Sequence, residues 1–196
     1  MTREMLFALA LGYLFGSVPF GLLLTRATGK GDIRNLGSGN IGATNVLRTG
    51  SKLLAALTLI LDCLKATVAI LLAMRLFGEE SAIFAATGAL IGHLYPVWLG
   101  FRGGKGAATF FGILIALLWP AALIYAAVWL LLLLTIRISS VAGMAAAVSA
   151  PATALIIEPP LFPMLLGFAV LVLWKHRENI VRLYRGTEPR SGRVKA

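Results

Sequence analysis

Long apolar runs, with charge confined to the short segments between them, constrain the fold of this chain more than any other feature. Hydrophobic residues make up 59% of the 196 residues and charged residues only 13%, about half the charged share of an average soluble domain. The runs are long enough to cross about 30 Å of hydrocarbon as helices. A spanning sheet would need short alternating segments that close into a barrel. We therefore predict an all-α integral membrane protein with one domain, residues 1–196.

Seven apolar segments are candidate transmembrane helices. A straight span needs roughly 20 residues, and several segments are longer or shorter, so five or six spans remain if 107–136 or 141–174 is not divided. The candidates are residues 5–25, 53–77, 82–99, 107–118, 119–136, 141–156 and 160–174.

The distribution of positive charge predicts the orientation. With seven spans, all 18 Lys and Arg residues fall on one side except Arg3 and Arg75 on the other and Lys65 inside a span. By the positive-inside rule, the N-terminus is outside and the C-terminus is cytoplasmic. Every polar, glycine-rich segment then lies on the cytoplasmic face. The net charge of +10 is accounted for by topology and by contact with anionic membrane lipids. No nucleic-acid motif is present, so no nucleic-acid partner is predicted.

Residues 28–50, the first glycine loop, read TGKGDIRNLGSGNIGATNVLRTG. The loop contains a formal GxGxxG, but no strand precedes it, so it does not indicate a dinucleotide site. Its glycines, followed by a predicted short helix from Ala43, are suited to aiming amides at a phosphate. A structural re-entrant turn is the alternative. The loop supplies neutral hydrogen-bonding groups and cations: Ser38, Asn40, Thr44 and Asn45, with Lys30, Arg34 and Arg48.

Two features flank the first glycine loop. Pro19 removes a helical hydrogen bond and predicts a kink or break in the first span, which either opens a polar notch or only adjusts packing. The second glycine loop, Arg102, Gly103, Gly104, Lys105 and Gly106, resembles a P-loop without being one, because Gly106 stands where Ser or Thr is needed. A Gly-Gly-Lys-Gly turn at a helix start is a candidate anion nest, with a charged connector as the alternative.

The third polar region is the tail segment, His176–Glu188, which reads as a surface helix ending near Gly186. His176 and Asn179 share one helical face, and Arg182 lies three residues beyond Asn179. A tail that binds lipid headgroups through its amphipathic surface is the alternative. A short connection before it contains Arg137, Ser139 and Ser140, which read as a topology charge and helix caps.

A few polar residues lie inside the apolar segments. Asp62 and Lys65 are i,i+3 neighbours, and lone charges in lipid are costly, so a structural pair is predicted, with an anchor for a loop cation as the alternative. His93 reads as an interior histidine. The only cysteine, Cys63, excludes an intramolecular disulfide. No Cys/His cluster indicates a metal, and no cofactor is predicted.

The motifs GSVPFG, DIRNLGSGNIGATNVLRTG, GHLYPVWLGFRGGKGAAT and HRENIVRLYRGTE occur in this order between Gly16 and Glu188. Together they resemble the bacterial acyl-phosphate:glycerol-3-phosphate acyltransferases, the PlsY family. The resemblance implies a seven-helix enzyme of the bacterial cytoplasmic (inner) membrane with a cytoplasmic site. It would move an acyl group from acyl phosphate to the 1-hydroxyl of glycerol-3-phosphate, giving lysophosphatidic acid and phosphate.

The resemblance also assigns roles by position. It implies catalytic roles for Ser38 and Arg48 and for His176 and Asn179. It makes Gly103 to Gly106 the glycerol-3-phosphate phosphate loop and gives Glu188 a more structural role. Together with the pattern of polar residues, we expect substrate contacts from Asn40, Thr44, Asn45, Arg102, Ser139, Ser140 and Arg182, and a structural role for Asp62.

The chemistry requires no acyl-enzyme. Neither histidine is followed by an aspartate five positions on, so the His-x4-Asp motif is absent, and no serine or cysteine sits in a recognisable triad. Direct transfer is predicted, with the hydroxyl proton taken by His176 or by the donor phosphate. Two other classes stay open: a small organic-anion transporter, although no inverted repeat is seen, and a lipid-phosphate phosphatase or headgroup transferase.

Overall fold

A computed structural model describes residues 2–190. Within this range the chain is helical and contains no strand. Arg193 and Lys195, which were counted among the cytoplasmic charges, lie outside the described residues. The helices are α1 (Arg3–Gly16), α2 (Phe20–Ala27), α3 (Ala43–Val46), α4 (Lys52–Phe77), α5 (Ala82–Leu94), α6 (Ala107–Leu117), α7 (Trp119–Thr135), α8 (Ser139–Ile157), α9 (Phe162–Lys175) and α10 (Arg177–Tyr184).

Every predicted apolar segment is helical. Among residues 2–190, four helical stretches are long and apolar enough to cross a membrane, and a fifth follows if the segment ending at Lys175 and α10, bent by 57°, form one broken span. The helices α6 and α7 are apolar but shorter, with 11 and 17 residues. The prediction of seven spans therefore stays a prediction. The stretch that contains the third predicted segment extends from Glu79 to Leu99. Within it α5 ends at Leu94, because Tyr95 precedes Pro96 and a residue before proline disfavours the helical conformation.

The predicted break at Pro19 is confirmed. The first apolar segment consists of two helices, α1 and α2, and Pro19 is the N-cap of α2. Beside the break, the Tyr13 hydroxyl donates to the carbonyl of Tyr95, 2.9 Å away, and accepts from the N–H of Val97. The break is thus tied to the segment that follows α5.

The chain forms two compact units, one ending at Leu117 and one starting at Leu118. In the first unit, α1 packs against α5, and α4 packs against α1, α5 and α6. Small residues permit these close approaches, as in many membrane helix pairs. A Cβ added at Gly12 or Gly16 would overlap the backbone of α5, and one at Gly112 would overlap the Cys63 carbonyl of α4.

The second unit contains α7 to α10. Helix α8 packs against both α7 and α9. Its buried face is lined by small side chains, including Ala142, Ala146 and Ala150, so neighbouring helices can again approach closely. At the end of α9 the chain turns at His176 into α10, which is short and polar. The predicted tail helix ending near Gly186 is confirmed.

Candidate functional site

The first glycine loop is fixed to the first unit by its apolar side chains. Ile33, Ile41 and Val46 are buried against Leu22 of α2 and Leu54 of α4. Leu99, which leads into the second glycine loop, packs against the same cluster. Both glycine loops are therefore anchored on one apolar cluster.

Asn45 holds the first glycine loop together from inside. Its side chain is buried, and Nδ2 donates to the carbonyls of Ile33, Leu36 and Asn40 at 2.8–2.9 Å. Its Oδ1 accepts from the N–H of Ser38. The amide is thus used within the loop and has a structural role, and the expected substrate contact of Asn45 stays a prediction.

The loop also determines where Arg48 lies. Gly37 has a φ of +56°, and a Cβ added there would meet Cδ and Nη1 of Arg48 and Oδ1 of Asn45. Arg48 follows the predicted short helix α3, whose start at Ala43 is confirmed. The guanidinium therefore lies over the Gly37 backbone next to Ser38. Ser38, Thr44 and Arg48 are exposed, whereas the Asn40 side chain accepts from the N–H of Gly42.

Arg34 is engaged within the loop. Asp32 forms ion pairs with both Arg34 and Arg26, each at 2.6 Å. The hydrogen bonds from the side chain and the backbone of Arg34 hold the pKa of the Asp32 carboxyl well below its ordinary value of 3.8. Arg34 is therefore a weaker candidate for a phosphate ligand than Arg48, for which the sequence offers no acidic neighbour.

The second glycine loop folds back onto the end of α5. The N–H of Gly103 donates to the carbonyl of Leu94, and the N–H of Gly104 donates to the carbonyl of His93, at 3.2 and 3.0 Å. These two amides satisfy terminal carbonyls of α5, and phosphate binding by Gly103 and Gly104 stays a prediction. The glycines are also required for close approach: a Cβ on Gly104 would overlap the His93 ring, and one on Gly103 would overlap the His93 carbonyl and the ring of Pro96.

The remaining anion-binding capacity of this loop lies at its C-terminal end. Gly106 has a φ of +89° and precedes the first turn of α6, where Phe110 N–H donates to the Gly106 carbonyl. The first N–H groups of a helix favour negative charge. Lys105 is half-buried beside this turn, and Arg102 is exposed.

The predicted pair of Asp62 and Lys65 is confirmed as a buried ion pair of 2.7 Å. Lys65 also contacts His93 Nδ1 and the carbonyl of Val18. The partner of Asp62 is therefore Lys65, a buried residue of the same helix. The alternative, in which Asp62 anchors a cation of a loop, is not what the structure has.

In the second unit, three of the predicted site residues form hydrogen bonds with Glu188. Its carboxylate accepts from Ser140 Oγ at 2.7 Å, from Arg182 Nε at 2.7 Å and from Asn179 Nδ2. Burial alone would raise the pKa of the Glu188 carboxyl, but these hydrogen bonds hold it below its ordinary value. The arrangement fits the structural role expected of Glu188, and Ser139 is the first residue of α8.

His176 lies at the turn between α9 and α10 and is buried. Its Nδ1 is 2.8 Å from the carbonyl of Val172. Because a carbonyl only accepts, Nδ1 carries the proton and the lone pair of the neutral ring is on Nε2.

Fold and loops together define a class: an all-helical integral membrane protein with cation-bearing glycine loops. A family model described as glycerol-3-phosphate acyltransferase matches residues 6–186, and the chain belongs to this family. Glycerol-3-phosphate acyltransferases of Mesorhizobium japonicum and Brucella anthropi are 54% and 53% identical to it; each alignment covers 98% of this chain, and 98% and 96% of the relatives.

Two crystal structures are also similar. One is PlsY, an integral membrane glycerol 3-phosphate acyltransferase, in its glycerol 3-phosphate form, with a TM-score of 0.89, 38% identity and 96% of each chain covered. The other is the lysophosphatidic acid form, with a TM-score of 0.86, 37% identity, and 95% of this chain and 94% of that chain covered. The resemblance seen in the motifs is thereby confirmed.

Sequence reasoning missed three contacts: Lys65 to His93, Gly104 to the His93 ring, and Gly37 to Arg48. Each of these contacts joins two residues that are far apart in the sequence, and the sequence alone does not show that they meet. The only available signal was the pair of adjacent glycines in the second loop, which indicates space for a neighbour.

Proposed function

We propose that this protein acylates the 1-hydroxyl of glycerol-3-phosphate with an acyl phosphate, forming lysophosphatidic acid and phosphate. The observation that carries the proposal is the similarity, over 96% of the chain, to a solved enzyme in its glycerol 3-phosphate form. The similar lysophosphatidic acid form supports the product. The acyl-phosphate donor follows from the motif resemblance.

Both substrates carry phosphate, so the site needs several cations. We assign this role to Arg48, Lys105 and Arg102, with hydrogen bonds from Ser38, Asn40 and Thr44. Arg48 is held over the Gly37 backbone and Lys105 lies at the start of α6. Arg182 is engaged by Glu188 as Arg34 is by Asp32, so it is not given this role and its expected substrate contact stays a prediction. Cations positioned before substrate arrives stabilise developing charge without reorganisation.

An acyl phosphate is an activated mixed anhydride, so positioning and charge stabilisation supply most of the catalysis. The 1-hydroxyl oxygen attacks the acyl carbonyl carbon, and an ester bond forms. The bond between that carbon and the phosphate oxygen breaks, and phosphate leaves with its electron pair. The hydroxyl proton passes to a base, and no acyl-enzyme forms.

The base is either His176 or the donor phosphate. In favour of His176, its Nδ1–H is directed to Val172, which puts the lone pair on Nε2. His176→Gln tests this choice. If His176 is the base, kcat falls by about 100-fold or more and the acidic limb of the pH–rate profile disappears. A profile of unchanged shape and a nearly unchanged kcat would assign the proton to the donor phosphate.

We further propose seven spans in the bacterial cytoplasmic membrane, with the N-terminus outside and the glycine loops and tail segment in the cytoplasm. The charge asymmetry supports this orientation. Single cysteines introduced at Glu80 and at Arg190 in a Cys63→Ala background test it in intact cells. An impermeant maleimide should label position 80 and not position 190. The reverse pattern would overturn the orientation.

The enzymatic proposal is tested with purified protein, glycerol-3-phosphate, and either palmitoyl phosphate or palmitoyl-CoA. We expect lysophosphatidic acid only with palmitoyl phosphate. Product from palmitoyl-CoA alone would overturn the proposed donor. No product from folded protein with either donor, together with uptake of glycerol-3-phosphate into sealed vesicles, would favour a transporter instead.

A further inference from the structure

A buried chain of polar groups lies beneath the second glycine loop. Lys65 Nζ is 2.7 Å from Asp62 Oδ1, 2.9 Å from the carbonyl of Val18 and 2.9 Å from His93 Nδ1. The side chains of all three titratable residues are at most 4% exposed. Such a group inside a membrane protein is costly and generally has a function. The proposed chemistry does not use it.

The tautomer of His93 follows from the charge of Lys65 in its ion pair with Asp62. An ammonium group has three protons and no acceptor, and the three contacts of Lys65 are a carboxylate, a carbonyl and a ring nitrogen. The ring nitrogen, Nδ1, must therefore accept. The other candidate partner of Nδ1, the Asp62 carboxylate, is 3.8 Å away and outside hydrogen-bond distance. In the neutral ring the proton is then on Nε2.

The Nε2 edge of His93 faces the second glycine loop. A Cβ added at Gly104 would overlap Nε2 and the two ring carbons beside it. The backbone of the same histidine accepts the hydrogen bond of Gly104. His93 therefore supports Gly104 with both its ring and its carbonyl, and Lys65 fixes the orientation of that ring.

The region of α4 around Asp62 also binds the segment that follows the second glycine loop. Thr109, in the first turn of α6, donates to the backbone carbonyl of Asp62 at 3.1 Å. The residues on either side of Lys105 are thus connected to one region of α4, directly through Thr109 and indirectly through Lys65 and His93.

We propose that Lys65 and His93 are positioning residues for glycerol-3-phosphate: Lys65 holds His93 as the Nε2–H tautomer, and the ring sets the second glycine loop so that Lys105 and the start of α6 meet the phosphate. This inference rests on the proposed function. Neither residue is assigned contact with the substrate, and both act through the loop.

The first test needs no variant of the buried cluster and no substrate. The chain has two histidines, so ¹⁵N-histidine labelling gives two ring systems, and the spectrum of His176→Gln identifies His93. We expect an unprotonated, hydrogen-bonded Nδ1 and a protonated Nε2 at His93. A protonated Nδ1, either as the other tautomer or as imidazolium, would overturn the proposal. This result does not depend on whether the protein is an acyltransferase.

The second test removes both charges together with Asp62→Asn/Lys65→Met, because a single change would leave an unpaired buried charge. If the wild-type protein acylates glycerol-3-phosphate, the double variant should raise KM for glycerol-3-phosphate by about tenfold or more and lower kcat much less. KM for the acyl donor should stay unchanged. The His93 spectrum should lose the signature of a fixed Nε2–H tautomer.

The matched control is Thr67→Val. Thr67 lies on the same helix, is buried, and donates to the carbonyl of Gly112 on α6. It is expected to lower thermal stability while leaving KM for glycerol-3-phosphate unchanged. A folded double variant with wild-type KM overturns the proposal, as does an equal rise of KM in Thr67→Val. If the double variant does not fold, the ¹⁵N-histidine spectrum of the wild-type protein supports or overturns the proposal by the protonation of His93.

Discussion

The side-chain oxygen of Asn45 accepts a hydrogen bond of 3.2 Å from the backbone N–H of Ser38. The nitrogen of the same amide donates to three loop carbonyls. A residue expected to contact substrate is thus a structural element that holds the candidate serine in place. The conformation of the first glycine loop depends on this one buried amide.

Asn45→Asp tests this role. The aspartate keeps an oxygen for Ser38 but cannot donate to the carbonyls of Ile33, Leu36 and Asn40. Leaving buried carbonyls without donors should cost about 2–3 kcal/mol of stability and lower activity strongly. Thermal unfolding in detergent and the acyltransferase rate measure the two effects. Asn35→Ala, an exposed change in the same loop, should stay within about 0.5 kcal/mol of wild type. Equal effects of the two changes would contradict the structural role.

Gly37→Ala should disturb Arg48. Both Gly37 and Gly50 have positive φ, so alanine at either position should cost about 1 kcal/mol of stability. Only at Gly37 would the new Cβ meet Arg48, since nothing lies within 4 Å of one at Gly50. We therefore expect a larger loss of stability in Gly37→Ala, whose Cβ would also meet Oδ1 of Asn45, and loss of acyltransferase activity only in that variant. Wild-type kinetics in Gly37→Ala would show that the position of Arg48 is unimportant.

Gly104→Ala should displace the second glycine loop, because the methyl group would overlap the His93 ring. The result should be a raised KM for glycerol-3-phosphate and lower stability. Gly167→Ala is the control: this glycine lies in α9 with open space around it, and alanine is the better helix former by about 1 kcal/mol. Its activity should equal that of wild type. Substrate affinity that survives in Gly104→Ala would contradict the close contact with His93.

The sequence predicts the elements of this fold better than their contacts. Apolar runs specify the helices, Pro19 specifies the break, and the spacing of Asp62 and Lys65 specifies their pairing, because each is a local property of the chain. The contact of Lys65 with His93 joins residues 28 positions apart and depends on how α4 and α5 pack. The use of the Gly103 and Gly104 amides by α5 could not be foreseen for the same reason, so the second loop was expected to present more amides to a phosphate.

The Glu188 cluster predicts a pH dependence of stability. The pKa of Glu188 in the folded protein is below its ordinary value of 4.5, so its stabilising contribution is complete above that pH and is lost as pH falls through the lowered pKa. Glu188→Gln should cost about 1–3 kcal/mol at pH 7, and the difference from wild type should shrink in acid. Thermal unfolding from pH 7 down to acid measures this, with the exposed Glu158→Gln as control. A difference that is constant with pH would contradict the charged cluster.

The central claim is that this protein couples breakdown of an acyl phosphate to acylation of glycerol-3-phosphate. The most direct measurement follows phosphate release and lysophosphatidic acid formation in one reaction of the purified protein with palmitoyl phosphate. We predict equal amounts of both products when glycerol-3-phosphate is present and neither product when it is omitted. Phosphate release without glycerol-3-phosphate and without lysophosphatidic acid would show a phosphatase and contradict the account.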